Sequence, residues 1–248
     1  MSDRRKFLTT VGAVLALATL ARKSRGQTRE VGQNREAIAI LGTGNLGSAM
    51  GKLWAKNGHP IIYGSRTPGD ARVQKIVEET GPQASAMSNS QAAARANIIL
   101  FALPTQTVPA LVPTLGGLDG KVIMDPMNAS QMVDGYPQPS PDVQTSVAEQ
   151  LQALLPNAKV VKAFNTPSVR NIVDPNRLDG PFSIPLAGTD AGAKARVAAL
   201  VSELGLEPVD TGPLIASRYL EGMMRLSFGY FLYSEGKSFE FYLRPVRQ

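Results

Sequence analysis

Cysteine is absent from the 248-residue sequence, and histidine occurs once, as His59. The lack of cysteine excludes disulfides, thiolate metal sites and cysteine nucleophiles. A Ser/His/Asp triad would depend on His59 alone, and no close pair of acids marks a hydrolase. His59 lies at a predicted helix-to-strand turn, away from the strand ends where ligands bind, so we expect no catalytic role for it. Because such groups are scarce, the sequence favours a reaction in which the protein mainly orients the reactants, rather than one that depends on proton transfer by side chains.

The amino terminus has little negative charge and carries two basic clusters around an uncharged run. Arg4, Arg5 and Lys6 precede the run Phe7–Ala21, which is short of the roughly 20 apolar residues that span a bilayer. It is typical of the apolar region of a secretory signal. The order SDRRKFL resembles the twin-arginine (Tat) export motif of bacteria. We therefore predict a Tat signal peptide over residues 1–26, with the Tat export machinery as a partner.

Two alternatives to a cleaved export signal stay open. The segment can be an ordinary solvated basic terminus, or it can remain uncleaved and tether the protein to the membrane. If it is a Tat signal, we expect a periplasmic or otherwise exported location. A polar linker is predicted over residues 27–36.

Most of the net positive charge lies in the predicted signal peptide. The whole sequence has 26 basic and 20 acidic residues, a formal charge of +6, whereas residues 27–248 have 20 and 19, a formal charge of +1. Charge that would suggest nucleic-acid binding is thus confined to the predicted signal, and we expect no nucleic-acid partner. About 220 mature residues suit one large domain, or one domain with a small appendage.

A glycine-rich loop follows the first predicted strand, Ala37–Leu41, and a helix then continues to about Asn57. The order GxGxxG between a strand and a helix is typical of dinucleotide binding. The three glycines are expected to permit a tight turn, close approach of a pyrophosphate and close helix packing, while the helix N–H groups bind the anion. The predicted cofactor-binding residues here are Gly42, Thr43, Gly44, Asn45, Leu46 and Gly47.

The end of the second predicted strand indicates which dinucleotide binds. An NAD site usually has an acid there, about 20 residues beyond the loop, to bind the ribose 2′-OH. This sequence has Ser65, Arg66 and Thr67. The guanidinium can pair with a 2′-phosphate, and the hydroxyls can donate to it. We therefore predict NADP as the cofactor, with Arg72 as a second candidate for the phosphate contact.

Three later apolar segments, ANIILFALP, KVIMDPMNAS and AKVVKAFNTP, predict strands. Their carboxyl ends are expected to surround one crevice, where ligands bind in such sheets. Asp125, at the end of the second of them, precedes a proline and is expected to be structural. Lys162, inside the third, is the nearest candidate proton donor, but we expect a structural role for it as well. The strand ends add Ala102, Leu103, Pro104 and Asn165 to the predicted cofactor site.

Two more strands are predicted around a helix at Ala191–Leu204. The pattern predicts an α/β, Rossmann-like NAD(P)-binding fold with a mainly parallel sheet over residues 37–213. A helical extension is predicted over residues 214–248, with its helix starting near Leu214. Apolar residues nearly encircle that helix, so it is expected to bury more than one side. Contact with the sheet plus a homodimer partner explains this pattern, and an aromatic wall for a flavin-like ring is the alternative.

The segments ILGTGNLG, YGSRTP, AKVVKAFNT and PVDTGPLIASRYLE occur in this order between Ala37 and Leu243. In order and spacing the sequence resembles the NADPH-dependent reductases of the deazaflavin coenzyme F-420. The segment Ala163–Asn165 is also similar to the corresponding segment in the oxidoreductase domains of the six-transmembrane (STEAP) metalloreductases. The resemblance implies NADP binding at Thr43, Gly44, Asn45, Leu46, Ser65 and Arg66. Archaeal deazaflavin reductases have a histidine near the position of Asn165.

The resemblance and the scarcity of proton donors together predict an NADPH-dependent oxidoreductase. Hydride would pass between NADP(H) and a small-molecule acceptor, a flavin or a deazaflavin such as coenzyme F-420. Onward transfer to a metal is a further expectation. Such transfer needs two stacked rings and little proton chemistry. The alternatives are a non-catalytic NADP-binding module and a reductase of imines or hydroxyacids. The chain after Pro167 is short for the helical second domain that hydroxyacid dehydrogenases of this sheet type usually carry.

Overall fold

The computed structural model describes residues 35–141 and 145–244. The predicted signal peptide, with Arg4 and Arg5, and most of the predicted linker lie outside the described residues, so export stays a prediction. In the described ranges, no helix is both long enough and apolar enough to cross a membrane.

The described chain alternates strands and helices from its start. The strands are β1 (Ile38–Leu41), β2 (Ile61–Ser65), β3 (Ala84–Ser88), β4 (Ile98–Phe101), β5 (Val122–Asp125), β6 (Ser130–Val133), β7 (Tyr136–Pro139), β8 (Lys159–Lys162), β9 (Ser183–Gly188) and β10 (Glu207–Asp210). The helices are α1 (Asn45–Lys56), α2 (Ala71–Thr80), α3 (Asn89–Arg95), α4 (Val108–Leu111), α5 (Val147–Leu154), α6 (Val169–Val173), α7 (Ala191–Ser202) and α8 (Ser217–Tyr233).

Eight of these strands form one sheet in the order β10-β9-β8-β5-β4-β1-β2-β3. The six strands β8, β5, β4, β1, β2 and β3 are parallel to one another. β9 pairs antiparallel with β8, and β10 is parallel to β9. The chain leaves β1 toward β2 on one side and later returns to β4 on the other. This change of direction is where open α/β sheets bind ligands. The predicted Rossmann-like fold with a mainly parallel sheet is confirmed.

The core has two apolar layers, one on each face of the sheet. All four residues of β1 are buried. Ile38 and Ile40 pack in one layer with Trp54 of α1, whereas Ala39 and Leu41 pack in the other with residues of α3 and α5. Successive strand residues point to opposite faces, so a strand covered by helices on both sides is apolar throughout. The short apolar runs in the sequence predict the central strands for this reason.

The sequence patterns missed β3 and the hairpin formed by β6 and β7. β3, with the sequence ASAMS, lies at the sheet edge, is half-buried along its length and has no β-branched residue. The hairpin turns at Asp134 and Gly135, whose φ values are +51° and +75°. Asp-Gly is a strong signal for a two-residue hairpin turn, so this hairpin was detectable from the sequence.

Lys162 forms a buried ionic cluster that joins three elements. Its Nζ donates to Asp125 Oδ2 at 3.0 Å, to Glu221 Oε1 at 2.7 Å and to the Met127 carbonyl. Glu221, on α8, also accepts a bond from the Val147 N–H at the start of α5. All three charged side chains are at most 2% exposed. This cluster supports the structural roles expected for Asp125 and Lys162.

Helix α8 follows a single 3-10 turn at Leu214–Ala216, close to the predicted start. Leu220, Glu221 and Gly229 are buried on it, whereas Tyr219 is 76% exposed. The Tyr136 ring of the hairpin lies against Gly229, where an added Cβ would be 2.2 Å from the ring. The described residues therefore cover one side of the helix, and the homodimer that would cover another side stays a prediction.

We expect Lys162→Ala to lower the free energy of unfolding by about 3–5 kcal/mol, because it leaves two buried carboxylates without their cation. Urea unfolding followed by circular dichroism measures this loss.

The matched control is Lys159→Ala, on the same strand. Lys159 pairs with Asp190 at 3.1 Å, but both side chains are well exposed. An exposed pair contributes little, so this variant should unfold near the wild-type midpoint. Similar losses in the two variants would contradict a dominant role for the buried cluster.

Candidate cofactor and acceptor site

The turn that leaves β1 depends on Gly42. This residue has φ +107°, and an added Cβ would lie 2.1 Å from the Ala102 carbonyl oxygen at the end of β4. No other residue fits such a conformation and contact. The Leu103 side chain also lies 3.2 Å from that Cβ position. The structure thus brings together two predicted parts of the site, the loop after β1 and the chain after β4, where Pro104 is exposed.

Gly44 and Gly47 differ in what surrounds them. A Cβ on Gly47 would lie 2.1 Å from the Gly42 carbonyl oxygen, so this glycine allows α1 to pack against the loop. A Cβ on Gly44 would have no atom within 4 Å, although the residue caps α1. Space beside the backbone at a helix start is what an approaching pyrophosphate needs.

The start of α1 offers free hydrogen-bond donors. No side chain caps the helix, and its first turn contains no acid. Thr43 is half-buried and Asn45 is exposed, and neither side chain bonds to another described residue. The unsatisfied N–H groups and the positive end of the helix dipole favour an anion. The loop therefore has the chemistry of a phosphate site.

The end of β2 presents Ser65, Arg66 and Thr67 together. Arg66 is exposed and forms no ion pair with any described residue. The Ser65 hydroxyl accepts a bond from the Thr67 N–H at 3.1 Å, which shapes the turn. Asp70, the next acid along the chain, accepts a bond from the Arg72 N–H as the cap of α2. A cation with no carboxylate partner suits a 2′-phosphate.

A cavity of about 460 Å³ opens beyond the carboxyl ends of β5 and β8. Leu46 of the glycine loop lies on one side and α8 on another, and the segments after β5 and β8 and the carboxyl-terminal tail, residues 234–244, contribute the remainder. Its lining residues are Leu46, Pro126, Asn128, Phe164, Asn165, Thr166, Pro167, Ser168, Val169, Met224, Ser227, Phe228, Phe231, Ser238, Phe239 and Glu240. The structure thus brings Asn165 and Leu46 to one cavity, together with residues after β5. Ala102, Leu103 and Pro104, at the end of β4, are not among its lining residues.

Asn165 is held in one orientation and has an unused acceptor. Its Nδ2 donates to Asn128 Oδ1 at 2.9 Å and to the Leu220 carbonyl at 3.0 Å, while Asn128 Nδ2 donates to the Asn165 carbonyl at 3.0 Å. Because a carbonyl can only accept, Nδ2 must face Leu220. Asn165 Oδ1 is then buried without a donor among the described residues. Such an atom costs about 1–3 kcal/mol unless a ligand or water satisfies it.

Phe164 has a backbone conformation that bulky residues rarely adopt. Its φ is +60°, in the left-handed region that is costly for a side chain of this size. The ring packs edge-on against Trp54 of α1, with centroids 5.9 Å apart. This contact holds the turn that places Asn165 at the cavity. Strained residues of this kind are concentrated at ligand sites.

Aromatic side chains of α8 and the tail form one wall of the cavity. The Phe228 and Phe231 rings are stacked at 11° with centroids 6.3 Å apart, and Phe239 also lines the cavity. Flat apolar walls suit a planar ring. The sequence pattern proposed such a wall as an alternative to a dimer contact.

Glu240 also lines the cavity, although no sequence pattern predicted it as a site residue. Its carboxylate accepts bonds from the Ser168 N–H at 2.9 Å and from Asn171 Nδ2 at 2.6 Å. Burial raises the pKa of the Glu240 carboxyl, and this effect exceeds the opposing effect of the two hydrogen bonds. No local motif marks the residue, because its partners are about 70 positions away along the chain.

His59 lies at the amino end of β2, away from the cavity. It is buried, its Nδ1 donates to the Glu36 carbonyl at 2.8 Å, and its Nε2 is 2.8 Å from Glu203 Oε2. This environment agrees with the expected absence of a catalytic role.

Comparisons with known proteins agree with the chemistry of the loop. The family described as NADP oxidoreductase, coenzyme F420-dependent, matches residues 37–129. A reductive aminase from Aspergillus terreus, solved with NADPH4, cyclohexanone and allyl amine, is 22% identical with a TM-score of 0.59. That match covers 81% of this chain and 63% of the aminase, and it shows the fold alone.

Two solved structures are more similar. A protein from Arthrobacter sp. FB24 with a provisional assignment as an F420-dependent NADP reductase is 30% identical, with a TM-score of 0.76. The match covers 85% of this chain and 100% of that one. A hypothetical protein from Sinorhizobium meliloti is also 30% identical, with a TM-score of 0.65 and coverage of 75% and 89%. The chain is an NADPH-dependent oxidoreductase and belongs to the family of coenzyme F420-dependent NADP oxidoreductases.

Proposed function

We propose that this oxidoreductase is exported and transfers hydride between NADP(H) and a flavin or deazaflavin bound in the cavity beside the glycine loop. The observation that carries the proposal is the position of this cavity. Leu46, from the loop that would hold the dinucleotide, and the stacked Phe228 and Phe231 line the same space. Export rests on the leader sequence alone, and onward transfer to a metal stays a prediction.

The residues present fit NADP. The open side of Gly44 and the free N–H groups of α1 would hold the pyrophosphate, and Arg66 with Ser65 and Thr67 would hold the 2′-phosphate. Ala102 and Leu103 adjoin the glycine loop. Bound NADPH supplies the hydride. The chain itself orients the dinucleotide and keeps water from the reacting rings.

The cavity fits a planar acceptor. Its volume of about 460 Å³ lies within the range of small-molecule sites, and most of its lining is apolar. Asn165 Oδ1 offers one buried acceptor for an N–H group, such as the imide of a flavin-type ring or a carboxamide. Aromatic walls with a few fixed polar groups orient a flat ring. These features favour a flavin or deazaflavin over a hydroxyacid.

Purified protein should oxidise NADPH when FMN, FAD or coenzyme F-420 is added and should leave NADPH intact without them. Absorbance at the nicotinamide band measures the rate for each acceptor. Binding of NADPH with no oxidation under any acceptor would leave only the non-catalytic module. Turnover with an imine or a hydroxyacid in the absence of flavin would replace the acceptor proposed here.

Two aromatic variants locate the acceptor in that experiment. Phe228→Ala should raise the acceptor KM roughly 2- to 10-fold, the loss expected for one ring contact, and should leave NADPH affinity unchanged. Tyr219→Ala is the matched control, because Tyr219 is on the same helix but lies outside the cavity lining and is 76% exposed. Equal effects of the two substitutions would contradict the aromatic wall.

Arg66→Ala should weaken NADPH binding by about 1–3 kcal/mol, as expected for a lost charge-assisted contact, and should leave NADH binding nearly unchanged. Titration calorimetry with both nucleotides measures the difference. Arg72→Ala tests the second candidate for this contact, and Lys75→Ala, which removes a well-exposed cation from the same helix, controls for net charge. Equal losses for NADPH and NADH, or a selective loss in the Arg72 variant alone, would show that Arg66 does not bind the 2′-phosphate.

Gly44→Ala should weaken NADPH binding about tenfold, or about 1.4 kcal/mol, while the unfolding midpoint stays close to wild type. The reason is that the new methyl group occupies open space needed by a pyrophosphate and meets no protein atom. Gly47→Ala is the contrasting variant, because its Cβ clashes with the Gly42 carbonyl and should destabilise the fold itself. Unaltered NADPH affinity in a folded Gly44→Ala protein would place the pyrophosphate elsewhere.

A further inference from the structure

The carboxyl-terminal tail is fixed to the start of β9 immediately after Glu240. The Ser183 N–H donates to the Phe241 carbonyl at 3.0 Å, and the Leu243 N–H donates to the Ser183 hydroxyl at 2.9 Å. The Ser183 hydroxyl also donates to the Leu243 carbonyl at 3.2 Å. These bonds hold the tail across the cavity, so Glu240 belongs to a defined wall rather than to a loose chain end.

The two carboxylate oxygens of Glu240 have different environments. Oε1 accepts both described bonds, from the Ser168 N–H and from Asn171 Nδ2. Oε2 has no donor among the described residues. A carboxyl group anchored through one oxygen can carry a proton on the other.

Glu240 is the only ionisable side chain among the described residues that line the cavity. The charged groups of the surrounding elements are Glu235, Lys237 and Arg244 on the tail, Arg170 on α6 with Asp174 after it, and Arg218, Glu221 and Arg225 on α8. Arg218 pairs with Glu149, and Glu221 pairs with Lys162. In the described part of the chain none of the cations lies within 4 Å of the Glu240 carboxylate, and Arg225 donates to the Ala129 carbonyl instead. Burial without a cation raises the pKa of this carboxyl.

We propose that Glu240 is the proton donor to the acceptor, with Oε2 as the atom that holds the proton. The inference rests on the proposed function, because it assigns a role at the same cavity. Hydride transfer gives the acceptor two electrons and one proton, so a neutral ring becomes an anion. A second proton must then bind to a ring nitrogen to make the reduced ring neutral. The Oε2–H bond breaks, the N–H bond forms, and the carboxylate then takes a proton from water.

The simpler role for Glu240 is to anchor the tail, and Glu240→Gln separates the two roles. Glutamine keeps an oxygen that can accept from Ser168 and Asn171, but it cannot release a proton at this pH range. Glu235→Gln makes the same change on the same tail outside the cavity lining. Asn171→Ala removes one anchoring donor and keeps the carboxyl group. Unfolding midpoints establish that each variant is folded.

The first measurement needs no turnover. Riboflavin, which lacks a phosphate, is titrated into the NADP⁺-loaded protein from pH 5.5 to 8.5. For wild type and Glu235→Gln we expect affinity to fall roughly 2- to 10-fold as pH rises, because deprotonated Glu240 loses a hydrogen bond to the ring. The Glu240→Gln variant should show no such dependence. A pH dependence that persists in Glu240→Gln would overturn the proposal.

The second measurement is the pH profile of NADPH oxidation with the same acceptor. Wild-type kcat should fall as pH rises, whereas Glu240→Gln should be slower by about 10²-fold or more at low pH and independent of pH. Asn171→Ala should keep the wild-type slope. A Glu240→Gln enzyme with wild-type rate and profile would show that Glu240 only anchors the tail.

The two proposals fail separately. If riboflavin binding depends on pH through Glu240 but no flavin or deazaflavin is reduced, Glu240 is confirmed to contact the bound ring. The proposed hydride transfer to a flavin or deazaflavin is then wrong. If acceptors are reduced at equal rates by wild type and Glu240→Gln, the proposed function stands and the proton donor is wrong.

Discussion

The buried bonds of Lys162 fix the part of the molecule on which the cavity depends. One ammonium group donates to a carboxylate on β5, a carboxylate on α8 and the Met127 carbonyl. Burying a charge is unfavourable unless its hydrogen-bonding capacity is filled, and here all three donors have partners. The geometry that satisfies the lysine therefore sets how the carboxyl ends of β5 and β8 and the start of α8 meet.

The site lies directly beyond this cluster. Residues after β5 and β8 supply Asn128 and Asn165, which bond to each other and, through Asn165, to the Leu220 carbonyl on α8. The strained turn at Phe164 is maintained by its contact with Trp54, and an isolated chain would not adopt it. Satisfied bonds thus hold a residue of the cavity lining, Asn165, whose buried Oδ1 has no donor among the described residues.

Local sequence patterns were enough for the central strands and for the strand-loop-helix unit that contains the glycines. Strands such as β1 are buried on both faces and appear as continuous apolar runs. An added Cβ would meet the Ala102 carbonyl at Gly42 and the Gly42 carbonyl at Gly47, whereas at Gly44 it would meet no protein atom. β3 was missed because an edge strand of small residues has no such pattern. The hairpin was missed although Asp134 and Gly135 carry its signal.

The acceptor side could be predicted only in part, because its contacts join distant segments. Glu240 bonds to Ser168 and Asn171, and Lys162 to Glu221, across separations that no spacing rule reports. The aromatic residues of α8 were visible in the sequence, but their periodicity did not distinguish a ligand wall from a dimer contact. The structure shows that Phe228 and Phe231 line the cavity while Tyr219 does not.

Binding of the dinucleotide and choice of the acceptor are therefore separate physical problems in this fold. The half of the sheet from β1 to β3 would hold NADP with backbone N–H groups, open space at Gly44 and one guanidinium. The cavity proposed for the acceptor is lined instead by residues that follow β5 and β8, by α8 and by the tail, and these offer aromatic rings, two amides and one acid. Leu46 is the point where the two sites meet. Substitutions in α8 and the tail can therefore change the cavity while the turn after β1, where Gly42 and Gly47 leave no room for a Cβ, stays the same.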